Sequence, residues 1–512
     1  MIIILHHNGA FREAVCSNEG VLKVSASGSM CEVLFEVAAS FPEALIVWCE
    51  EQWRDSFNEN EVASIFHHQR IMASYSVSGV PFFPKQLGYV ENSPFVKVVQ
   101  DITYPTWQMS IDVGGIYASV LNAVASEGLS NANFSFFLNV LAKQLMPHGL
   151  LCYSEPKLVK GKPSVYSEAS LKASEQQLFN FIKANYRTRW LWLALLCVVI
   201  YEKRVPIFSF LRALSFRRKK VSEGILTHIP LESTIKSSRD NSIDVIIPTM
   251  GRKAYLHDVL KDLSQQTLLP SRVIVVEQDP DPNTSSSLDY IASENWPFEI
   301  ILEFTHRTGA CRARNLALTH IRSDWVFMAD DDIRFPPSLL KSAMQFLQTT
   351  NASAFTMSCL MEGEQESVAN VVQWMTFGSG CSIVASEIAK ETQYNLALEF
   401  GYGEDKDYGM QLRNKGCDVL YTPFIQLKHL KAPMGGFRQP VTKPWGKEKL
   451  APKPAPTVMR FQLDHRTAQQ TKGYKLQLFI KYYRNQSVKN PFTYIKKMKK
   501  AWNSSVSWAK QL

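Results

Sequence analysis

The stretch WVFMADDDIRF, residues 325–335, runs five apolar residues straight into Asp330, Asp331 and Asp332. An apolar run of that length reads as a buried strand. Three adjacent carboxylates at its end repel one another and cost free energy to desolvate. A solvated acidic turn accounts for them. A divalent cation accounts for them better, because hard cations take carboxylate oxygens.

Outward from this stretch, strands and helices alternate. IDVIIPT (243–249), RVIVVEQ (272–278) and FEIILEF (298–304) are β-branched runs that read as strands. LHDVLKDLSQQT (256–267) puts Leu256, Val259, Leu260 and Leu263 on one helical face, and GACRARNLALTHI (309–321) reads as a helix opened by glycine. This order predicts a parallel, doubly wound α/β sheet with ligands at the carboxyl ends of its strands. The triple Asp lies at such an end. So do Pro248 and Thr249, Glu277, and His306 with Arg307, which are therefore expected to line a nucleotide crevice.

The motifs VIIPTMGR, VIVVEQD, TGACRARNLAL, MADDDI, GEDKDYGMQLRNKG and KHL, in that order, make residues 243–430 resemble the catalytic domain of a family 2 glycosyltransferase of GT-A architecture. The resemblance implies a Rossmann-like nucleotide-diphospho-sugar transferase domain and an inverting transfer of sugar to a hydroxyl. It implies Mn²⁺ or Mg²⁺ against the donor diphosphate, with Asp332 as the chief ligand, Asp330 sharing the metal, and Asp331 contacting ribose or sugar. A cation there would stabilise charge on the leaving oxygens. His429 matches a position that offers a histidine to metal or diphosphate, with Lys428 or Lys431 adding charge nearby. The Glu-Asp pair implies Asp405 as general base and Glu404 beside it binding acceptor; Asp407 is the weaker candidate. Acids at a helix start also suit the dipole.

By the same resemblance Pro248, Thr249, Arg252 and Glu277 contact the nucleotide. Gly309, Arg312, Arg314 and Asn315 match the phosphate- and ribose-contacting segment. Arg312 and Arg314 lie two apart and cannot both face the site from a regular helix, and family position favours Arg314. VVQWMTFGSGCSIVAS (371–386) is the expected acceptor wall, with Gly378 in a small-residue turn and Trp374 either stacking on sugar or lying in the core. The Gln-x-x-Arg-Trp signature of processive synthases is absent, which implies transfer of one or a few sugars.

The rest of the 512 residues is less explicit. Apolar content of 46 % and charged content of 20 % belong to a folded protein, and the length to two or three cores. Nine scattered cysteines without a C-x-x-C pair suit reduced thiols in the cytoplasm. The opening MIIILHHNGAF lacks the basic region of a signal peptide. The expected division is an α/β domain over 1–180, a basic and apolar helical connector over 181–240, the catalytic domain over 241–440 and a basic helical tail over 441–512.

Within 1–180, EALIVWCEE (43–51) and GLLCYSEPKLV (149–159) read as strands and FSFFLNVLAKQL (134–145) as a helix. DVGGIYASVL (112–121) echoes GSGCSIVASEI (378–388). The echo raises a degenerate GT-A-like copy without the triple Asp; chance similarity is the alternative. WLWLALLCVVIY (190–201) is too short to span a membrane. With its basic flanks it fits either a helix in an anionic membrane interface or a buried packing helix.

The net charge of +9 lies mainly in the tail, where residues 439–512 hold sixteen Lys and Arg against Glu448 and Asp464. Such helices suit an anionic membrane surface at the cytoplasmic face; nucleic acid is the less favoured partner. The expected partners are a nucleotide-diphosphate sugar and a saccharide or lipid-linked acceptor of cell-surface polysaccharide or glycolipid synthesis. An inactive glycosyltransferase-like binding protein is the rival reading, and nucleotidyl transfer stands behind both.

Overall fold

A computed structural model describes residues 1–17, 20–25, 29–129, 133–161, 172–399, 401–433 and 443–512. It divides into two compact units, Met1–Ile235 with Arg466–Lys481 and Lys236–His465 with Tyr482–Leu512.

In the first unit the strands are β1 (Ile2–His7), β2 (Ala10–Cys16), β3 (Gly20–Leu22), β4 (Leu45–Glu50), β5 (Ile71–Tyr75), β6 (Tyr104–Pro105), β7 (Val113–Tyr117) and β8 (Leu151–Ser154). They form one sheet in the order β3-β2-β1-β4-β7-β5-β8-β6. β4 is buried along its whole length, as LIVWCE, a run without polar alternation, requires of a strand covered on both faces. The helices Met30–Ser40 and Phe134–Leu145 supply one apolar layer through Leu34, Val37, Phe137 and Leu141. Trp53, Phe57, Phe66 and Leu158 belong to the other. Residues 466–481 fold against this unit: Gln470 donates to the Glu91 and Ser93 carbonyls, and a Cβ at Gly473 would lie 2.1 Å from the Tyr89 carbonyl oxygen.

The helices Glu175–Asn185, Thr188–Cys197 and Ile207–Leu214 also belong to the first unit. They bury Phe179, Phe181, Leu191 and Phe210 but leave Trp192, Val205, Phe208 and Leu211 exposed, Phe208 at 80 %. No helix among the described residues is long and apolar enough to cross a membrane.

In the second unit the strands are β9 (Ile243–Thr249), β10 (Arg272–Gln278), β11 (Glu299–Thr305), β12 (Trp325–Ala329), β13 (Ile333–Arg334), β14 (Ala354–Met361), β15 (Val372–Gln373), β16 (Cys381–Ala385) and β17 (Leu420–His429). The sheet runs β11-β10-β9-β12-β16-β14-β17-β13, with β15 also on β17. β11, β10, β9 and β12 are parallel, as expected. The expectation of a wholly parallel sheet needs correction. β16 runs antiparallel to both β12 and β14, so the sheet is mixed. Apolar periodicity reports burial, not strand direction, and the reversal comes from the connection after β14.

The tail is built into this unit. Helix Pro491–Gln511 packs on helix Pro456–His465 and buries Tyr494, Met498, Ala501 and Trp502, leaving its lysines outward. Thr457 of the second helix reaches the loop ahead of Glu404: a Cβ at Gly401 would lie 2.4 Å from its methyl, and its hydroxyl accepts from the Tyr402 amide.

Both sheets share one pairing pattern. β1-β4-β7-β5-β8 repeats β9-β12-β16-β14-β17 as parallel, antiparallel, antiparallel, parallel. The two-residue strands β6 and β15 add antiparallel to β8 and β17 respectively.

Candidate active site

A cavity of about 330 Å³ opens at the carboxyl ends of β9 and β12. Pro248, Thr249, Arg252, Gly309, Arg314, Asp330, Asp331, Asp332, Glu404, Asp405 and His429 line it, with Met250, Gln278, Ala310, Ser379, Gly380 and Glu399.

β12 ends where its apolar run ends, and that places the three acids on different partners. Asp331 is buried, accepting from Thr249 Oγ1 at 2.7 Å and from Arg252 at 2.6 Å. Burial outweighs these partners and pushes its carboxyl up to about 6. Asp332 is buried between Arg252 (3.2 Å), His429 Nε2 (3.3 Å) and the Ala432 amide (2.9 Å). Burial raises its carboxyl, but these groups prevail and hold it below the usual range. Its hydrogen bond in turn raises His429, favouring the imidazolium. Asp330 is partly open and pairs with Arg314 at 2.7 Å. Gly380 is what admits it: a Cβ there would lie 2.2 Å from Asp330 Oδ2.

The second acidic group starts helix Glu404–Arg413. Asp405 takes the Ser379 hydroxyl and, at 3.2 Å, its amide. Burial nonetheless raises its carboxyl. Glu404 is pushed up to about 7, first by burial and then by Asp405, and its Oε2 is buried without a hydrogen-bond partner. Asp407 turns away, to His465 at 2.7 Å and Gln411 at 2.7 Å. The helical period separates it from the cavity.

Several expected residues lie elsewhere. Glu277 ends β10, but Ser286 and Ser287 hold its carboxylate at 2.5 and 2.6 Å, outside the cavity lining. His306 is exposed against the Asp279 carbonyl, and Arg307 is exposed. Of the helix Ala310–Leu318 only Arg314 turns a long side chain to the cavity. Arg312 is outside the lining, and Asn315 is bonded both ways to the Tyr394 backbone. Trp374 stacks on Tyr421 at 4.4 Å, and Gly378 packs under Cys381 and Thr356; neither lines the cavity. Lys428 faces Glu362 at 3.5 Å.

Six lining residues escaped the sequence reading, and four of them, Ser379, Gly380, Gln278 and Glu399, shape the site. Ser379 holds Asp405, and Gly380 admits Asp330. Gln278 accepts from the Gly309 amide at 2.5 Å. Glu399 caps the helix Ala310–Leu318, taking the Cys311 and Arg312 amides at 3.1 and 2.9 Å. A carboxylate thus occupies the helix N-terminus where an anion would otherwise sit. Gly309, with φ 140°, has no room for a Cβ, which would lie 2.3 Å from the Glu399 carboxyl carbon. Ser379 and Gly380 stood inside the quoted small-residue turn, but nothing local marked them.

Six carboxyls line this cavity against Arg252, Arg314 and His429. The carboxyls of Asp331, Glu404 and Asp405 are raised chiefly by burial, with neighbouring acids adding to it. Among the described residues no three His, Cys, Asp or Glu side chains are grouped to hold a metal ion as they stand. The chemistry of the donor set, carboxylates Asp330 and Asp332 with His429, fits a hard divalent cation.

The model of glycosyl transferase family 2 matches residues 244–398. A Haemophilus influenzae protein described as an uncharacterized glycosyltransferase is 27 % identical over 106 residues, 21 % of this chain and 34 % of its own length. The chain thus spans about a third of that relative. Among solved structures, S. aureus TarS 1-349 in complex with UDP-GlcNAc is 15 % identical, with a TM-score of 0.38 over 52 % of this chain and 81 % of its own. GalNAc-T7 with UDP, GalNAc and Mn2+ is 12 % identical, with a TM-score of 0.31 over 40 % and 48 %. The likeness to glycosyl transferase family 2 thus rests on residues 244–398.

Proposed function

We propose that the second unit transfers a sugar, with inversion, from a nucleotide-diphosphate donor to a hydroxyl of a saccharide or lipid-linked acceptor. The observation that carries this reading is the convergence of Asp405, the triple Asp and two guanidinium groups on one cavity, the triple Asp and both arginines lying inside the family 2 segment and Asp405 just beyond it. Asp405 is the base. Ser379 fixes its orientation, and burial makes it a stronger base than a solvated Asp, closer to the pH at which it works. It takes the acceptor hydroxyl proton on a carboxylate oxygen as that hydroxyl attacks the anomeric carbon. Glu404, raised to about 7, holds a proton part of the time and donates a hydrogen bond to the acceptor.

Arg252 and Arg314 supply fixed positive charge on the leaving-group side, and Asp331 holds Arg252 and Thr249 in place. Asp330, Asp332 and His429 would hold Mn²⁺ or Mg²⁺, which when bound stabilises charge on the departing diphosphate as a Lewis acid. The acceptor belongs to a membrane surface. The exposed Trp192, Val205, Phe208 and Leu211, among Arg187, Arg189, Lys203, Arg204 and Arg212, support peripheral binding to anionic lipid.

A donor panel tests the reaction. Nucleoside diphosphate release from UDP-, GDP- and dTDP-sugars is measured with Mn²⁺ or Mg²⁺ and with EDTA. One donor turned over only with metal is the expected result. Release of pyrophosphate in its place would show nucleotidyl transfer and refute the assignment.

A further inference from the structure

The shared pairing pattern sets residues of the first unit against residues of the second. Three backbone hydrogen bonds anchor the match. Thr106 N to Cys152 O answers Trp374 N to Val419 O, and Ala118 N to Ala44 O answers Ser386 N to Asp324 O. Glu50 N to Asp112 O answers Asp330 N to Gly380 O. Strand register then puts Ile4 at Ile246; beyond the strands the chain differs, β1 turning back into β2 where β9 leads into the helix Lys253–Ser264. Counting back from β4 and β12 puts Leu34, fully buried, at Arg314.

Leu34 takes the place of the guanidinium that faces Asp330, while Arg12, on β2, meets Glu51 at 3.7 Å. Asp112 replaces Gly380 and brings a carboxylate to a place that admits no side chain in the second unit. The helix Phe134–Leu145, which precedes β8 as Glu404–Arg413 precedes β17, carries no acid. No carboxylate stands on this helix where Asp405 stands in the second unit.

The crevice has nevertheless stayed open. A cavity of about 270 Å³ lies at the same end of the sheet, near the lower end of the roughly 300–1,000 Å³ of small-molecule sites. Its lining includes Glu50 and Asp112, the hydroxyl of Ser74, the amide of Gln100 and the rings of Trp53 and Phe82. Glu50 is compensated from within, by His6 and His7 at 3.0 Å and the Asn8 amide at 2.8 Å. Asp112 takes the Val77 amide at 2.8 Å. The Gln100 Oε1 is buried and has no hydrogen-bond partner. Carboxylates, hydroxyls and amides beside aromatic rings suit a ligand with many hydroxyls and an apolar face, and the two acids outnumber Lys97, the one lysine of the lining, against phosphate.

We infer that this cavity is a non-catalytic binding site for an uncharged saccharide. The inference stands on the first unit and does not depend on the reaction assigned to the second.

Saturation-transfer difference NMR on the full chain tests it. The probes are neutral mono- and disaccharides of glucose, galactose, mannose and N-acetylglucosamine, with UDP plus Mn²⁺ as competitor. The variants are Gln100→Ala, which removes the unpartnered amide, and Gln52→Trp, which fills the cavity from an exposed lining position. At least one saccharide should give transfer that UDP does not displace. Both variants should weaken it by about tenfold or more, the worth of one or two hydrogen bonds, at unchanged melting temperature. If Gln52→Trp does not fold, Gln100→Ala decides alone. Silence across the panel, transfer that the folded variants leave intact, or displacement by UDP would each overturn the inference.

Discussion

Glycine at two positions decides whether the acids of the second unit can converge. Gly380→Ala would drive its methyl into Asp330, and Gly309→Ala combines a φ of 140° with a clash against Glu399. Each should cost on the order of 1–3 kcal/mol in stability by urea titration. Gly380→Ala should in addition reduce turnover at least about tenfold, because Asp330 must leave its place. Glu404 makes a pH prediction. Its carboxyl titrates near its ordinary 4.5 when unfolded and at about 7 when folded, so the folded state holds the extra proton in between. Stability contributed by that proton is present below 4.5 and is lost as pH rises through 7. Glu404→Gln should flatten the melting temperature against pH over that window.

At the scale of elements, one strand carries a buried charge. Asp244 on β9 is fully buried and takes the Arg322 and Ser323 amides, the Ser323 hydroxyl and Arg272. It ties β9 to β10 and to the turn that launches β12. Burial alone would raise its carboxyl, but these partners hold it below 3.8. Asp244→Ala leaves Arg272 unpaired and should cost about 3–5 kcal/mol in denaturant titration. The elements were also the most legible part of the chain. β9, β10 and β12 end where their β-branched runs end. The 3.6-residue period allowed only one of Arg312 and Arg314 to face the cavity, and it is Arg314, the one family position favoured. Strand direction was not legible, since β16 is apolar whichever way it runs. Nor were Gln278, Ser379 and Glu399, which reach the cavity from positions no period marks. Glu277 went astray because two serines ten residues on offered its carboxylate a nearer partner.

At the scale of the whole molecule, charge pattern showed the outer face of the tail and not what its apolar face covers. Its lysines pointed to a surface helix, but Trp502 is 6 % exposed and packs the last helix into the second unit, behind the loop that presents Glu404. Trp502→Ala should cost about 3–5 kcal/mol. The internal repeat was faintly legible in the IYAS and IVAS echo, although the strand register lies one residue off it, Val113 matching Cys381 through their partners Cys49 and Ala329. The proposed lipid contact falls on the exposed apolar residues of the first unit. Phe208→Asp, at a residue 80 % exposed, should release the chain from anionic vesicles in co-sedimentation without changing its fold.

The central claim is that Asp405 takes the acceptor proton, and its turnover measurement is the most direct test. Metal-dependent release of nucleoside diphosphate is compared between wild type and Asp405→Asn, with matched melting curves and matched nucleotide affinity. A loss of about 10²–10⁴-fold with nucleotide binding retained is the predicted result. Turnover within a few-fold of wild type would contradict the account.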